Sequence, residues 1–518
     1  MATAASFAKT AQGTVQHRGF ITVCVMLATI MQALDTTIAN VALPYMQGSL
    51  GVTLDQVNWV LTSYIVAAAI MTAPSGWLAV RFGRKKVFII AAAGFTVASI
   101  LCGIAQGITD MVGYRMLQGI FGAALVPLSQ AVMMDIYPPE KRGQAMAIWG
   151  MGVMLGPIMG PTLGGWLTEY YSWRWVFLIN LPFGIATVLG LIAYMPDTKP
   201  REMRFDWLGF ATLSLAIGFL QLMLDRGEGL AWFESNEILF EALAAAAAGY
   251  LFIAHTATAQ HPFVPPAVFK DWNFTLGVFF MFIVGVLILA SVALITPYVQ
   301  NVQGYPVLSA GFLLGARGIG TMASMMVVGR LLSFVDARIL IGLGMGLSAF
   351  SLWMMTGITP DISAFTIVWT SVVQGIGLGL LFVPLNTVAF ATLPPQLRTE
   401  AASMWTLIRN LGSSIGVSIV IAQLTSGTTL MHARLAELVT PFNAGFQLNP
   451  SPLLDPSTTE GIAMIDRLVT GQAVTISYQN DFLLMTLMGI LCLPLVLAFR
   501  NPKRSMAQAK PAVADAGH

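Results

Sequence analysis

Long apolar segments separated by short polar connections follow one another along the whole chain. Each is close to the ~20 residues that an α-helix needs to cross a bilayer. The pattern predicts fourteen membrane-spanning helices, near residues 20–44, 56–80, 86–106, 109–134, 143–168, 173–195, 206–224, 237–255, 273–298, 307–330, 338–358, 363–390, 401–425 and 482–499. We therefore expect an all-α membrane protein.

The composition supports this prediction and excludes several classes of protein. Of the 518 residues, 56% are hydrophobic and only 10% are charged, whereas about 25% of the residues of soluble proteins are charged. The formal net charge of +2 gives no reason to expect a nucleic-acid partner. The three cysteines, Cys24, Cys102 and Cys492, lie in apolar segments without paired spacing, so we expect no disulfide framework, metal site or cofactor. No Walker motif is present, which argues against a pump driven by ATP.

Basic residues predict the orientation of the helices. Loops rich in Lys and Arg stay in the cytoplasm. With a cytoplasmic N-terminus, most of the 26 Lys and Arg fall on the cytoplasmic side, including the cluster Arg81, Arg84, Lys85 and Lys86. Because the helix count is even, both termini are expected in the cytoplasm, and the first apolar segment is expected to remain as an anchor rather than be cleaved as a signal peptide.

An internal repeat relates two parts of the chain at a spacing of 256 residues. The matched pairs are Gln118-Gly119 with Gln374-Gly375, Pro138-Pro139 with Pro394-Pro395, Arg142 with Arg398, Ala145 with Ala401, Gly156 with Gly412 and Gly160 with Gly416. They match helix four with twelve and helix five with thirteen, so the repeat is parallel and spans eight helices. Transporters with two parallel halves bind substrate near the midplane between the halves.

The repeat predicts two six-helix bundles with two further helices inserted between them. The predicted segments are a cytoplasmic N-terminus (1–19), an amino-terminal bundle (20–200), the inserted pair (201–262), a carboxyl-terminal bundle (263–500) with a periplasmic loop at 426–481, and a cytoplasmic tail (501–518).

Asp35 and Arg115 are the central pair of this prediction. Each lies within an apolar segment, where a charge is costly and usually marks a transport path, and Asp35 is the one carboxylate that we expect to be deeply buried. Counted from Pro44 and Thr109, the two lie roughly 13 and 9 Å below the same surface, at about 1.5 Å per residue. We expect them to meet. The pair is interpreted as a proton-binding site; the alternative is a carboxylate that Arg115 neutralises permanently.

Other polar side chains on apolar helices are candidates for the wall of a substrate cavity. They are Gln32, Asn40, Gln118, Gln130, Arg317, Gln374, Asn386 and Arg409. For the amides, hydrogen bonds between helices are an equally open interpretation. Glu241, at the start of the eighth helix, is expected to be solvated.

Glycine-rich and charged segments predict elements that control the conformation. In GWLAVRFGRKK, Gly76 and Gly83 suit a tight connection, and Arg81 and Arg84 could pair with Asp135 or Glu140 and so stabilise one conformation. The segment GPIMGPTLGG predicts close packing or a hinge in helix five. The residues expected to act in this way are Gly156, Pro157, Gly160, Pro161 and Gly164, and the same is expected of Gly412 and Gly416.

The predicted loop 426–481 is the one long polar connection on the outer side. MHARLAELV and GIAMIDRLV are typical of short amphipathic helices joined by a Pro- and Asn-rich linker. Loops of this length are usually functional or disordered, so we expect either a docking surface for an envelope partner or an inert connection.

The segments LDTTIANVALP (34–44), GRKK, YRMLQG, GPxxGPxxGG, WRWVFLINLPFG (173–184) and LMLDRGEGLAWFES (222–235), in this order, resemble the fourteen-helix drug:proton antiporters of the major facilitator superfamily, of the EmrB/QacA type. The resemblance covers nearly the whole chain. It implies a secondary active transporter of the bacterial inner membrane rather than an enzyme, driven by the proton gradient, with Asp35 and Arg115 as the proton-coupling pair.

The same resemblance implies the substrates and partners. These would be small hydrophobic drug-like compounds, protons and membrane lipids, with a periplasmic membrane-fusion adaptor and a TolC-like outer-membrane channel. A cavity with one carboxylate and up to three Arg favours neutral or anionic amphiphiles. Export of one endogenous metabolite or siderophore, export of lipophilic cations as in QacA, and a membrane scaffold or sensor without transport remain alternatives.

Overall fold

Fourteen helices long and apolar enough to cross a membrane make up the computed structural model, which describes residues 17–198, 200, 202, 204–260, 262–394, 397–440, 454 and 458–500. In chain order they are α1 (Arg18–Leu50), α2 (Leu54–Phe82), α3 (Arg84–Ile104), α4 (Ile108–Gly122, continued by Leu125–Ile136), α5 (Arg142–Tyr170), α6 (Trp175–Leu178 and Asn180–Tyr194), α7 (Trp207–Arg226), α8 (Asn236–Thr258), α9 (Trp272–Pro297), α10 (Val307–Leu331), α11 (Ala337–Met354), α12 (Ala364–Ala391), α13 (Arg398–Ala436) and α14 (Thr459–Cys492).

The fold class predicted from the sequence is confirmed: the protein is an all-α membrane protein with two six-helix bundles and an inserted pair. The bundles are α1–α6 and α9–α14, and the inserted pair is α7 and α8. We call the end of the molecule at which α1 begins the basic end, because the cluster Arg81, Arg84, Lys85 and Lys86 lies there, and the opposite end the distal end.

The prediction for the long outer loop was wrong in its boundaries. The amphipathic segments expected as separate short helices are continuous with the membrane helices, since α13 runs to Ala436 and α14 begins at Thr459. The two extensions contact each other through His432, whose Nε2 lies 3.0 Å from Oδ1 of Asp466. Most of the Pro- and Asn-rich linker between them, and the segments 1–16 and 501–518, lie outside the described residues.

Equivalent glycines make equivalent close contacts in the two bundles, as the repeat predicts. A Cβ on Gly119 of α4 would lie 2.5 Å from the carbonyl oxygen of Tyr64, and one on Gly375 of α12 would lie 2.0 Å from that of Arg317. Helices α2 and α10 are therefore also equivalent. The position that holds Tyr64 in the first bundle holds Arg317 in the second.

The two bundles meet at positions related by the repeat. Gln130 of α4 and Asn386 of α12 are 256 residues apart, and Gln130 Nε2 donates a hydrogen bond of 2.7 Å to Asn386 Oδ1. Both side chains are fully buried. A residue that contacts its own repeat equivalent lies near the axis relating the halves. These two amides therefore join the bundles at that axis rather than line an open cavity.

The glycines of α5 bring this helix against α1 beside Asp35. A Cβ on Gly156 would lie 2.2 Å from the carbonyl group of Ala33, and one on Gly160 would lie 2.1 Å from Oγ1 of Thr37. Thr37 also donates a hydrogen bond of 2.9 Å to the carbonyl oxygen of Gly156. Gly164 packs in the same way on Ile38. Close packing, one of the two predicted roles, is therefore present, and α5 is continuous through this segment.

The second bundle repeats this contact between α13 and α9. A Cβ on Gly412 would lie 2.3 Å from the carbonyl oxygen of Phe282, and one on Gly416 would lie 2.8 Å from Cα of Val286. Within α5, Pro161 is partly buried, whereas the side chain of Pro157 lies outside what the structure describes.

The inserted pair is attached to both bundles. Ser418 of α13 donates a hydrogen bond of 2.6 Å to the carbonyl oxygen of Leu224 of α7, and the hydroxyl of Thr62 of α2 hydrogen-bonds to the adjacent Asp225. Helix α7 therefore lies where α2 and α13 approach each other.

Asp206 connects both ends of the inserted pair just outside the membrane-spanning part of α7. It accepts hydrogen bonds from the amides of Gly209 and Phe263, both at 2.9 Å, and contacts Nε2 of His255 at 2.8 Å. Burial raises the pKa of Asp206, but these hydrogen bonds and the charge on His255 outweigh burial and lower the pKa below its ordinary value. The carboxylate thus fixes the α7 N-terminus to α8 and to the segment that follows.

The prediction for Glu241 was wrong. The side chain is buried rather than solvated, because α8 packs on α7, and Oε1 of Glu241 lies 3.7 Å from Nη1 of Arg226. The nearby charge of Arg226 explains why an acid is tolerated there.

The contact between α1 and α5 gives a direct test of packing. We expect Gly156→Ala to lower the free energy of unfolding by about 1–3 kcal/mol, because the added methyl forces α1 and α5 apart. The midpoint of thermal unfolding should fall with it. The matched control is Gly113→Ala in α4, where no atom lies within 4 Å of the added methyl. Unfolding of both variants in detergent micelles checks this, and equal midpoints would contradict the packing argument.

Candidate functional site

The predicted contact between Asp35 and Arg115 is present in the middle of the amino-terminal bundle. Nη1 of Arg115, on α4, donates a hydrogen bond of 2.7 Å to Oδ2 of Asp35, on α1. The exposed fraction of the side chain is 0% for Asp35 and 1% for Arg115. The two therefore form a fully buried ion pair, which the count of residues along two antiparallel helices anticipated.

The other carboxylate oxygen of Asp35 accepts two hydrogen bonds. Oδ1 accepts hydrogen bonds from Nε2 of Gln118 at 2.8 Å and from Nδ2 of Asn180 at 3.0 Å. Both amides also contact the hydroxyl of Ser99 on α3. Asp35 thus has three donors from α4 and α6, which is the arrangement that stabilises an ionised carboxylate.

Arg115 is held from several sides. Its Nε donates a hydrogen bond of 3.0 Å to the carbonyl oxygen of Val60, and its Nη1 donates one of 2.6 Å to Oε1 of Gln118. The guanidinium lies over the ring of Tyr64, 4.2 Å from its centroid, and 5.5 Å from the ring of Phe177. A cation over an aromatic face is stabilised electrostatically.

This cluster is closed off within one bundle in the conformation described. All its members belong to α1–α4 and α6, and Gln118, predicted as a cavity residue, is fully buried inside it. Among the described residues, Gln32 of α1 is a partly exposed polar side chain that contacts the cluster. Its Nε2 donates a hydrogen bond of 3.2 Å to the hydroxyl of Tyr64. Asn40, further along α1, is exposed.

A second group of charges joins the two bundles at the basic end. Arg84 forms an ion pair with Asp135 and donates a hydrogen bond of 3.0 Å to Oγ1 of Thr399. Arg398 lies 3.6 Å from the other oxygen of Asp135. The predicted pairing of Arg84 with Asp135 is confirmed. Arg81 does not join it, and its guanidinium lies 3.9 Å from exposed Glu202.

Helices α2 and α13 cross closely at the same end. The hydroxyls of Ser75 and Ser403 lie 2.9 Å apart, and a Cβ on Gly76 would lie 3.0 Å from Cα of Glu400. Gly83, between α2 and α3, has φ of 91°, a conformation that favours glycine. Every direct hydrogen bond or ion pair that the structure describes between the two bundles lies in the half of the molecule nearer the basic end.

The amino-acid sequence identifies the family to which this arrangement of two equivalent bundles belongs. The profile of the Major Facilitator Superfamily matches residues 25–417. The chain belongs to the major facilitator superfamily. Its members are transporters, so the protein is a transporter rather than an enzyme.

Curated relatives within this superfamily match along nearly their whole length. The chain is 35% identical over 487 residues to the multidrug export protein EmrB of Escherichia coli strain K12, covering 93% of this chain and 95% of that protein. It is 34% identical over 490 residues to the fatty acid resistance protein FarB of Neisseria gonorrhoeae, covering 94% and 97%. The predicted resemblance to EmrB-type members of the superfamily is confirmed.

Solved structures show the same fold. The human organic anion transporter MFSD10 (TETRAN) superposes with a TM-score of 0.56 at 13% identity, covering 91% of this chain and 98% of that one. The proton:xylose symporter XylE superposes with a TM-score of 0.55 at 15% identity, covering 90% and 94%. At these identities the likeness concerns the major facilitator fold alone.

Two further arginines lie inside the carboxyl-terminal bundle. Arg317 hydrogen-bonds to Gln374 and lies 3.5 Å from the carbonyl oxygen of Ile288, and Arg409 contacts the side chain of Asn410 at 3.3 Å. Among the described residues neither has a carboxylate within 4 Å. Both lie deep among protein atoms and yet remain partly exposed.

Several members of the buried cluster were not predicted from the sequence. Asn180 lies in the quoted segment WRWVFLINLPFG, and Tyr64 and Ser99 are polar side chains on apolar helices. An amide inside an apolar segment was the available signal for Asn180. Nothing in the sequence shows that Tyr64 lies under Arg115, because that depends on how α2 is rotated.

A double-mutant cycle tests whether Asp35 and Arg115 stabilise each other. We expect Arg115→Leu to destabilise the protein by about 3–5 kcal/mol, because it leaves the charge of Asp35 buried without a cation. Adding Asp35→Asn to this variant removes that charge and should restore part of the stability. Thermal unfolding of the single and double variants measures the coupling energy, and additive effects would mean that the two side chains do not stabilise each other.

Proposed function

We propose that the protein exports hydrophobic toxic compounds across the bacterial inner membrane in exchange for protons, by alternating access. The observation that supports this most is the buried pair of Asp35 and Arg115. Charges within a membrane bundle are expensive and are retained where they serve transport. The relatives named for multidrug export and fatty acid resistance support the export of apolar compounds.

The proton binds to Asp35 in this account. With three donors and Arg115 beside it, the carboxylate is stabilised as an anion in the described conformation. A movement of α4 or α6 that withdraws Arg115 or Asn180 would remove this stabilisation, and Asp35 would then take up a proton. Helix α5 packs on the backbone of Ala33 and on the side chain of Thr37 of α1, and it also contacts α10 of the other bundle, so a change beside Asp35 would be transmitted to the other bundle through α5.

The described conformation is closed at the basic end. Positive loops favour placing this end, and both termini, in the cytoplasm, so we interpret this state as closed to the cytoplasm. The contacts of Asp135 with Arg84 and Arg398, and of Ser75 with Ser403, would have to separate when the bundles rock to the opposite state.

Two arginines favour neutral or anionic substrates. In this account Arg317 and Arg409, which are partly exposed and have no carboxylate within 4 Å among the described residues, line the substrate space, and Asp35 is already paired with Arg115. A multivalent cation would meet uncompensated positive charge there, whereas an amphiphilic weak acid would be attracted. Resistance to fatty acids, for which FarB is named, agrees with this class.

The helical extensions at the distal end suit a protein partner. Helix α13 has 39 residues, about 58 Å at 1.5 Å per residue, which exceeds the ~30 Å of a bilayer core. We propose that the extensions of α13 and α14 dock a periplasmic membrane-fusion adaptor, and through it a TolC-like channel, so that the transporter is the inner-membrane part of a tripartite pump.

Proton release on substrate binding tests the function. We expect a neutral hydrophobic substrate to shift the detergent-solubilised transporter toward the conformation in which Asp35 is an anion, and so to release protons, measured with a pH indicator in weakly buffered solution. Asp35→Asn should lose this release and still bind the substrate, because its side chain cannot ionise. Release equal to that of the unmodified protein would remove Asp35 from the coupling mechanism.

A further inference from the structure

A second acidic side chain is buried in the carboxyl-terminal bundle, at a position that was predicted from the sequence to end a polar loop. Asp481 is on α14, and the exposed fraction of its side chain is 0%. Neither carboxylate oxygen has a hydrogen-bond partner. Over the described part of the chain, no other carboxylate has both oxygens buried and unpartnered. Its surroundings are thus the opposite of those of Asp35.

Three helices pack against α14, and none brings a cation to Asp481. They are α9, α11 and α13. Helix α9 contains no Lys, Arg or His, and α11 contains only Arg338, in its first turn at the basic end. The basic side chains of α13 are Arg398, Arg409, His432 and Arg434. Helix α14, over its described residues, contains one basic side chain, Arg467.

Helix geometry places these cations far from Asp481. A Cβ on Gly427 of α13 would lie 3.2 Å from Oγ of Ser477, which sets the register of the two antiparallel helices. At about 1.5 Å per residue, Arg409 lies roughly 21 Å from Asp481 along the helix axis, toward the basic end. His432 lies roughly 13 Å away toward the distal end and is paired with Asp466.

The remaining titratable groups nearby do not favour a negative charge either. The ring of Tyr478, one turn from Asp481, lies 5.2 Å from the ring of Tyr298 at the end of α9. The hydroxyl of Tyr298 donates its proton to the carbonyl oxygen of Thr359 at 2.6 Å. Asp361, in the connection between α11 and α12, is a further acidic residue on this side and supplies no positive charge.

An ionised carboxylate in such a place is strongly disfavoured, and a buried acid without a partner takes up a proton instead. We propose that Asp481 is a second proton-binding residue of the transporter, held as the neutral acid in this conformation and ionised in another. The claim that its proton takes part in transport rests on the proposed function. The claim that it is protonated does not.

The position of Asp481 suits exchange with the distal side. Two residues from Asp481 toward that side, Nε2 of Gln479 donates a hydrogen bond of 2.7 Å to the carbonyl oxygen of Ile358, in the connection between α11 and α12. A displacement of α14 from this connection and from α9 would admit water to the carboxyl group. The O–H bond of Asp481 would then break, with its proton passing to water and the electron pair remaining on the carboxylate.

Infrared difference spectroscopy tests the protonation state. We expect the spectrum of the purified protein minus that of Asp481→Asn to contain the carbonyl stretch of a protonated carboxyl group. The matched control, Asp206→Asn, should instead remove carboxylate bands, because the hydrogen bonds from Gly209 and Phe263 and the contact with His255 lower the pKa of Asp206. Carboxylate bands alone in the Asp481 difference would overturn the proposal.

Transport in everted membrane vesicles tests the role of the proton. We expect Asp481→Asn to reduce accumulation driven by a proton gradient at least tenfold while substrate exchange without a gradient continues, and Asp481→Glu to recover accumulation. Accumulation by Asp481→Asn equal to that of the unmodified protein would overturn the transport role. If the unmodified protein itself shows no gradient-driven accumulation, the proposed function fails, and the infrared result still decides whether Asp481 is protonated.

Discussion

The cost of placing a charge within a bilayer governs this structure. A buried ion is tolerated only where other groups replace its hydration. Around Asp35 the replacement is complete, with Arg115, Gln118 and Asn180 donating to its two oxygens. Five helices of the amino-terminal bundle contribute to that cluster, so the position of each helix is coupled to the ionisation of one carboxylate. The same constraint explains why so few charges are found in the spans.

A symmetric backbone thus holds an asymmetric distribution of charge. The glycines that bring α5 onto α1 have equivalents that bring α13 onto α9, and Gln130 meets its own repeat equivalent, Asn386. The buried ion pair, however, occurs in the first bundle alone among the described residues, whereas Arg317 occupies in the second bundle the position of Tyr64. In the proposed function, the first bundle contributes the ion pair of Asp35 and Arg115, and the second contributes the positive charge of Arg317 and Arg409 and the buried acid Asp481.

Much of this was predictable because bilayer thickness and repeat spacing are simple constraints. The fourteen spans, the repeat and the contact of Asp35 with Arg115 follow from residue counts along helices. The sequence could not show which face of each helix turns inward. For that reason Gln118 was predicted on a cavity wall and lies inside the cluster, and Tyr64 was overlooked. The extent of α14 was also missed, since amphipathic helical extensions resemble a polar loop, and Asp481 was missed with it.

The account depends most on one claim, that the ionisation of Asp35 sets the balance between conformations. Spin labels at the exposed positions Phe82 and Phe334, on opposite bundles at the basic end, allow the distance between them to be measured by electron double resonance as the pH is lowered. The account predicts that the distances redistribute between a shorter and a longer population in the unmodified protein and stay in one population in Asp35→Asn. A redistribution with pH that is the same in both proteins would contradict it.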